Sequence, residues 1–140
     1  MKDTIITFET AKLAKQKGLN DHFFHRPGES SERIVESKFC YDPNDKTKEL
    51  QSWSYNIGNS TNERLERLIS APTQSLVQKW LREVHEIHIQ ISTYSCSPPQ
   101  KYEYEVWVLN EHYGEWNIID SYTTYEEALE AGLQEGLTLI

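Results

Sequence analysis

Cysteine, uninterrupted apolar runs and, in its second half, positive charge are scarce in this 140-residue chain, and each scarcity removes a class of protein. Cys40 and Cys96 are its only 2 cysteines, far apart and in no metal-like pair, so no disulfide framework can be drawn and free thiols are expected. No apolar stretch approaches the roughly 20 residues that cross a bilayer, which argues against a membrane protein. Met1 to Gln16 hold no apolar segment of signal-peptide type, so the reducing cytoplasm is the expected compartment. With 6 glycines there is still no phosphate-cradling loop, and no Gly-x-Ser-x-Gly elbow occurs. Residues 1–70 carry 11 Lys or Arg and 11 Asp or Glu, whereas residues 71–140 carry 3 and 11. The acidic half thus accounts for the net charge of −8 and repels phosphate backbones and anionic membranes.

What is present reads as one α+β domain over residues 1–140. Thr7 caps a helix to about Lys17, with Gly18 at the left-handed stop; Phe8, Ala11 and Ala14 form its apolar stripe, and Lys12 and Lys15 face water. Residues 20–32 read as a loop. Strand-like alternation follows over Arg33–Tyr41 (Val35, Phe39, Tyr41) and Leu50–Ile57 (Trp53, Tyr55, Ile57), with turn residues Asp42-Pro43-Asn44-Asp45 between them. Ser60 and Glu63 make a capping box for a helix over 60–70 carrying Leu65, Leu68 and Ile69. After Ala71-Pro72-Thr73, a second helix over 72–85 gathers Leu76, Val77, Trp80, Leu81 and Val84 on one face, with Ser75, Gln78, Lys79, Arg82 and Glu86 opposite.

The last third predicts a β-β-β-α unit. Ile87, Ile89 and Ile91 alternate with His88, Gln90 and Ser92, and Ser97-Pro98-Pro99 closes that strand. Strands over Tyr102–Leu109 and Trp116–Tyr122 follow, joined across Asn110–Glu115 with Gly114 in the turn. Thr124 and Glu127 open a terminal helix whose Leu129, Leu133, Leu137 and Ile140 form a core stripe. Gly132 and Gly136 leave flat spots where another backbone can approach. The expected architecture is a mostly antiparallel sheet with helices packed on it.

Two helical stretches, Ala71-Pro72-Thr73-Gln74-Ser75-Leu76-Val77-Gln78-Lys79-Trp80-Leu81-Arg82-Glu83 and Tyr122-Thr123-Thr124-Tyr125-Glu126-Glu127-Ala128-Leu129-Glu130-Ala131-Gly132-Leu133, resemble small uncharacterised phage and prophage proteins of Bacteroidetes. The resemblance covers about a fifth of the chain and implies a mobile-element protein of a bacterial cytoplasm. It carries over no functional residue.

Chemistry-bearing patterns are few. His22/His25 and His85/His88 each have two intervening residues, a spacing that can bring two imidazoles onto one ion, with Cys40 or Cys96 as further ligands. Neither pair sits in a known motif frame, and His85 at a helix C-terminus is explained by electrostatics alone. Glu103 and Glu105 share a strand face about 7 Å apart, as in some glycosidases, but alternating glutamates ordinarily mark a solvated face. No catalytic residue, metal or cofactor is therefore assigned. The helices over 60–70 and 72–85 have the order of a helix-turn-helix, with Ser75, Gln78, Lys79 and Arg82 as candidate nucleic-acid contacts; the acidic surroundings argue against DNA. Six of the 8 tyrosines and two of the 4 tryptophans fall between Tyr94 and Tyr125. Such aromatics favour interfaces. A single helix layer covers one face of strand 102–109, which makes Trp107, Tyr113 and Trp116 the candidate interface for a protein partner or a second copy. The function expected is that of a non-enzymatic protein-interaction module.

Overall fold

The computed structural model describes residues 4–19, 38–52, 61–93, 101–108, 111–113 and 121–140. The fold class is α+β, as the patterning predicts. The chain divides into two compact units, Ile5–Thr73 and Gln74–Ile140 with Met1–Thr4.

The first unit opens with α1 (Phe8–Gln16), started by the Thr7 hydroxyl accepting from the Thr10 N–H and ended where Gly18 turns to φ +99°. Ala11 and Ala14 are buried, and so is Thr10, whose hydroxyl shares a hydrogen bond with that of Thr7. Lys15 does not simply face water: its ammonium bends back to donate to the Leu68 carbonyl at 3.2 Å, and the partial burial this entails pushes its pKa down. Strands β1 (Phe39–Tyr41) and β2 (Gln51–Ser52) pair antiparallel, Cys40 opposite Gln51, so the hairpin across Asp42–Asp45 forms. Within β1 the expected Phe39–Tyr41 face is not uniformly covered. Phe39 is exposed, whereas Tyr41 is buried, its ring edge-on to Phe8 at 5.7 Å and its hydroxyl donating to the Ile6 carbonyl.

The helix expected over 60–70 is shorter. It is α2 (Asn62–Arg67), capped by Thr61 accepting from the Arg64 N–H, not by Ser60, which lies outside the described residues. Leu68 is already extended, and Ile69–Ser70 is strand β3, paired with the other side of β1 to give the order β2-β1-β3. Leu68 and Ile69 are therefore buried from a strand and its approach, not from a helix face. Beyond β3, Pro72 accepts from the Ile6 N–H and Thr73 bridges Ile5.

In the second unit α3 (Gln74–His85) begins two residues later than expected, and Val84 on its expected apolar face is 60% exposed. Glu86 alone, at φ +56°, links it to β4 (Ile87–Thr93). Strand β4 pairs antiparallel with β5 (Tyr102–Val108), His88 opposite Trp107 and Gln90 opposite Glu105. The third strand arrives sooner than expected: β6 is Glu111–Tyr113, with Val108 opposite Glu111, so only residues 109 and 110 separate it from β5. Tyr122 pairs with Tyr102, and residues 116–120 of the strand expected at 116–122 lie outside the described residues. Helix α4 (Tyr125–Thr138) starts at Thr124, whose hydroxyl accepts from the Glu127 N–H at 3.1 Å; the Glu127 carboxylate accepts from Thr123.

Helix α4 packs on β4 and β5, and α3 on β4 and α4. A Cβ built on Gly132 would lie 2.7 Å from Ile89 Cγ2 and 3.2 Å from Tyr104 Cβ, so glycine is what lets the helix sit this close. At Gly136 the neighbours are Ile89, Ile87 and, from α3, Leu81. Leu129, Leu133 and Leu137 are buried as expected, but Ile140, beyond the helix, is 38% exposed. The β-β-β-α order and the seating of the last helix on its sheet are as predicted from residues 87–139.

Candidate interaction surface

Alternation along paired strands sorts their side chains into two rows. Ile87 and Ile89 of β4 and Val106 of β5 are buried, and Ile87, Ile89 and Tyr104 meet α4. Because Leu81 and Ile87 converge on the same glycine, α3 lies on that face too. Among the described residues of this unit both helices thus occupy one side of the sheet. The other row consists of His88, Gln90 and Ser92 on β4 and of Glu103, Glu105 and Trp107 on β5. His88 and Gln90 are exposed and the rest half-buried. Trp107 Nε1 donates to Glu105 Oε2 at 3.3 Å, and Ser92 Oγ to Glu103 Oε1 at 3.2 Å.

Backbone direction follows from one pair. Tyr102 and Tyr122 exchange both N–H···O bonds at 2.8 Å, so Tyr102 turns its polar groups away from β4. Successive residues alternate, which turns Glu103, Glu105 and Trp107 toward β4 and, in register, Ser92, Gln90 and His88 toward β5. The backbones of Ile87, Ile89 and Ile91 are left to point at the edge of β4 with which no described strand pairs. Gln78 meets this edge: its amide donates to the Ile89 carbonyl at 2.8 Å.

Of the candidate interface residues, Trp107 stands in the outer row. Tyr113 stands opposite Val106, in the register of the buried row, so the sheet does not bring these two positions to one face. Trp116 lies outside the described residues, as do His22, His25, Cys96, Leu109 and Gly114. Of the candidate nucleic-acid contacts, Ser75, Lys79 and Arg82 are exposed on α3, whereas Gln78 is half-buried and engaged with β4. The six residues from Leu68 to Thr73 include β3 and an extended bridge, so the 60–85 region lacks the tight turn of a helix-turn-helix. His85 stacks edge-on to Trp80 at 4.6 Å with Nε2 buried, and His88 points from the exposed row of β4. Cys40 is fully buried. Among the described residues no three His, Cys, Asp or Glu side chains gather as metal ligands.

Among the described residues, the first unit contains a polar cluster that the sequence did not disclose. Asp42, nearly buried, holds Arg64 Nε at 3.4 Å and Arg67 Nε at 3.3 Å while accepting from the Asn44 N–H at 2.9 Å. Burial pushes its carboxyl up, but the Asn44 N–H and the two guanidiniums outweigh that and leave its pKa lowered. Arg64 and Arg67, three apart on a short helix and opposite a turn aspartate, were the available signal. The cluster ties the hairpin tip to α2, which is a structural task.

No known protein family, curated protein or solved structure matches the chain.

Proposed function

We propose that the chain is a non-catalytic protein-binding module that offers the outer row of the β4–β5 sheet to a macromolecular partner. The observation behind this reading is that α3 and α4 share one side of the sheet while Trp107, a large amphipathic side chain, stands in the row on the other. No described helix is long and apolar enough to cross a membrane. The resemblance of segments 71–83 and 122–133 to phage and prophage proteins supports a bacterial cytoplasmic setting for that partner. A photo-crosslinking residue at Gln90 tests the reading, with one at Ser75 on α3 as its control. Adducts with a protein, or with a second copy, are expected from Gln90 and not from Ser75. They should vanish when Trp107→Glu is added and circular dichroism is unchanged. Adducts from Ser75 to DNA, together with submicromolar duplex binding near ~150 mM salt lost in a Lys79→Ala/Arg82→Ala variant, would instead establish a nucleic-acid protein.

A further inference from the structure

We infer that this outer row receives an extended, arginine-bearing segment of the partner, an inference that rests on the protein-binding reading above. Charge complementarity carries it. Neither β4 nor β5 contributes a Lys or Arg to the row, and the residues from Gln74 to Ile140 hold 3 positive against 11 negative side chains. The positive three are elsewhere: Lys79 and Arg82 on α3, and Lys101 ahead of β5. Glu103 and Glu105 make no ion pair with any described residue; each accepts one neutral hydrogen bond, from Ser92 and Trp107. A second copy would bring the same carboxylates against these, which disfavours a face-to-face dimer.

Geometry narrows the occupant further. Glu103 and Glu105 are about 7 Å apart along β5, the repeat of alternate side chains in any extended peptide. Arginines at positions i and i+2 of such a segment match the two carboxylates with one backbone direction. Glu105 is held against the Trp107 indole nitrogen, which fixes its carboxylate for a charge-assisted pair with a guanidinium. Gln90 and Ser92, the cross-strand partners of the two glutamates, supply neutral polar groups for the peptide backbone.

The probe is a labelled peptide with arginine at alternate positions, compared with a glutamate counterpart, followed by fluorescence anisotropy and by amide chemical shifts of the full chain. Binding of the arginine peptide alone is expected, with shifts concentrated in 88–92 and 103–107. A Glu103→Gln/Glu105→Gln variant, which keeps size and hydrogen bonding, should weaken it about tenfold, as loss of two partly exposed charge pairs does. Shifts spread over Glu126, Glu127, Glu130 and Glu135 of α4, or an affinity unchanged in the double variant, would show unspecific attraction to an acidic surface and overturn the inference. Crosslinks from Gln90 without arginine-peptide binding would retain the protein-binding face and remove its cationic occupant. Failure of both would remove the reading itself.

Discussion

The two compact units reach the same class of fold by different means. Ile5–Thr73 is assembled from strands of two or three residues, too short to cohere by ladder hydrogen bonds alone. Its elements are tied by side chains that reach across them: Asp42 to Arg64 and Arg67, Tyr41 to Ile6, Lys15 to Leu68. The unit containing Gln74–Ile140 has paired strands of seven residues and brings a helix close to them with bare glycines. The charge division falls along the same line. Residues 5–73 hold 10 positive and 10 negative side chains, and the rest of the chain supplies the net −8. Mixed charge serves internal ties in one unit, and single-sign charge is left for the outside of the other.

The hardest test of that contrast is Gly132→Val. The added atoms meet Ile89 and Tyr104, and overpacking of this kind costs about 1–3 kcal/mol. Hydrogen exchange should show the loss chiefly in peptides from 74–140; equal loss in 5–73 would deny the units separate stabilities. Next, Asp42→Ala should cost about 2 kcal/mol, less than a fully buried pair because both arginines are about a third exposed. Urea unfolding measures it, and exchange should place it in 5–73.

The Asp42 tie also carries a sign in pH. Its carboxyl is lowered in the folded chain, so its stabilisation is complete above the unfolded value of about 3.9. That stabilisation drains as pH falls through the lower folded value. Comparison of wild type with Asp42→Asn by circular dichroism should show this acid limb only in the wild type. Smaller still is Gln78→Ala, about 1 kcal/mol for the lost hydrogen bond to Ile89. Its sharper readout is light scattering, because an uncovered, uncharged β4 edge invites strand pairing. Glu86→Gly should raise stability by about 0.5–1 kcal/mol, since φ +56° costs glycine little.

Local signals were readable and relational ones were not. Thr7 with Gly18, and Thr124 with Glu127, marked helix ends because a cap is chemistry within four residues. The Ile87–Ile91 alternation likewise announced β4 and its buried row. Leu65, Leu68 and Ile69 repeat at helical spacing, yet Ile69–Ser70 is drawn into a strand by pairing with β1, a partner nearly thirty residues away. Residues 111–113 carry no strong apolar alternation, so β6 is fixed by its register with β5 rather than by its own composition. In the candidate surface, the opposite placement of Tyr104 and Trp107 follows from strict alternation, while the split of Trp107 from Tyr113 depends on where β6 begins. Gln78 read as solvent-facing because its partner is a backbone carbonyl, which no residue name discloses. Its position four residues after buried Gln74, beside Val77 and Leu81, was the only hint.

The one-residue joint at Glu86 sets a rule on how this chain can change through time. With α3 ending at His85 and β4 beginning at Ile87, there is no slack to absorb a lost residue. Loss of that residue would have to unwind the end of α3 or slip β4 by one place against β5, which would turn Ile87, Ile89 and Ile91 outward because strand side chains alternate with period two. Related sequences should therefore align without deletions from Val77 to Ser92, even where their surface residues have diverged beyond recognition.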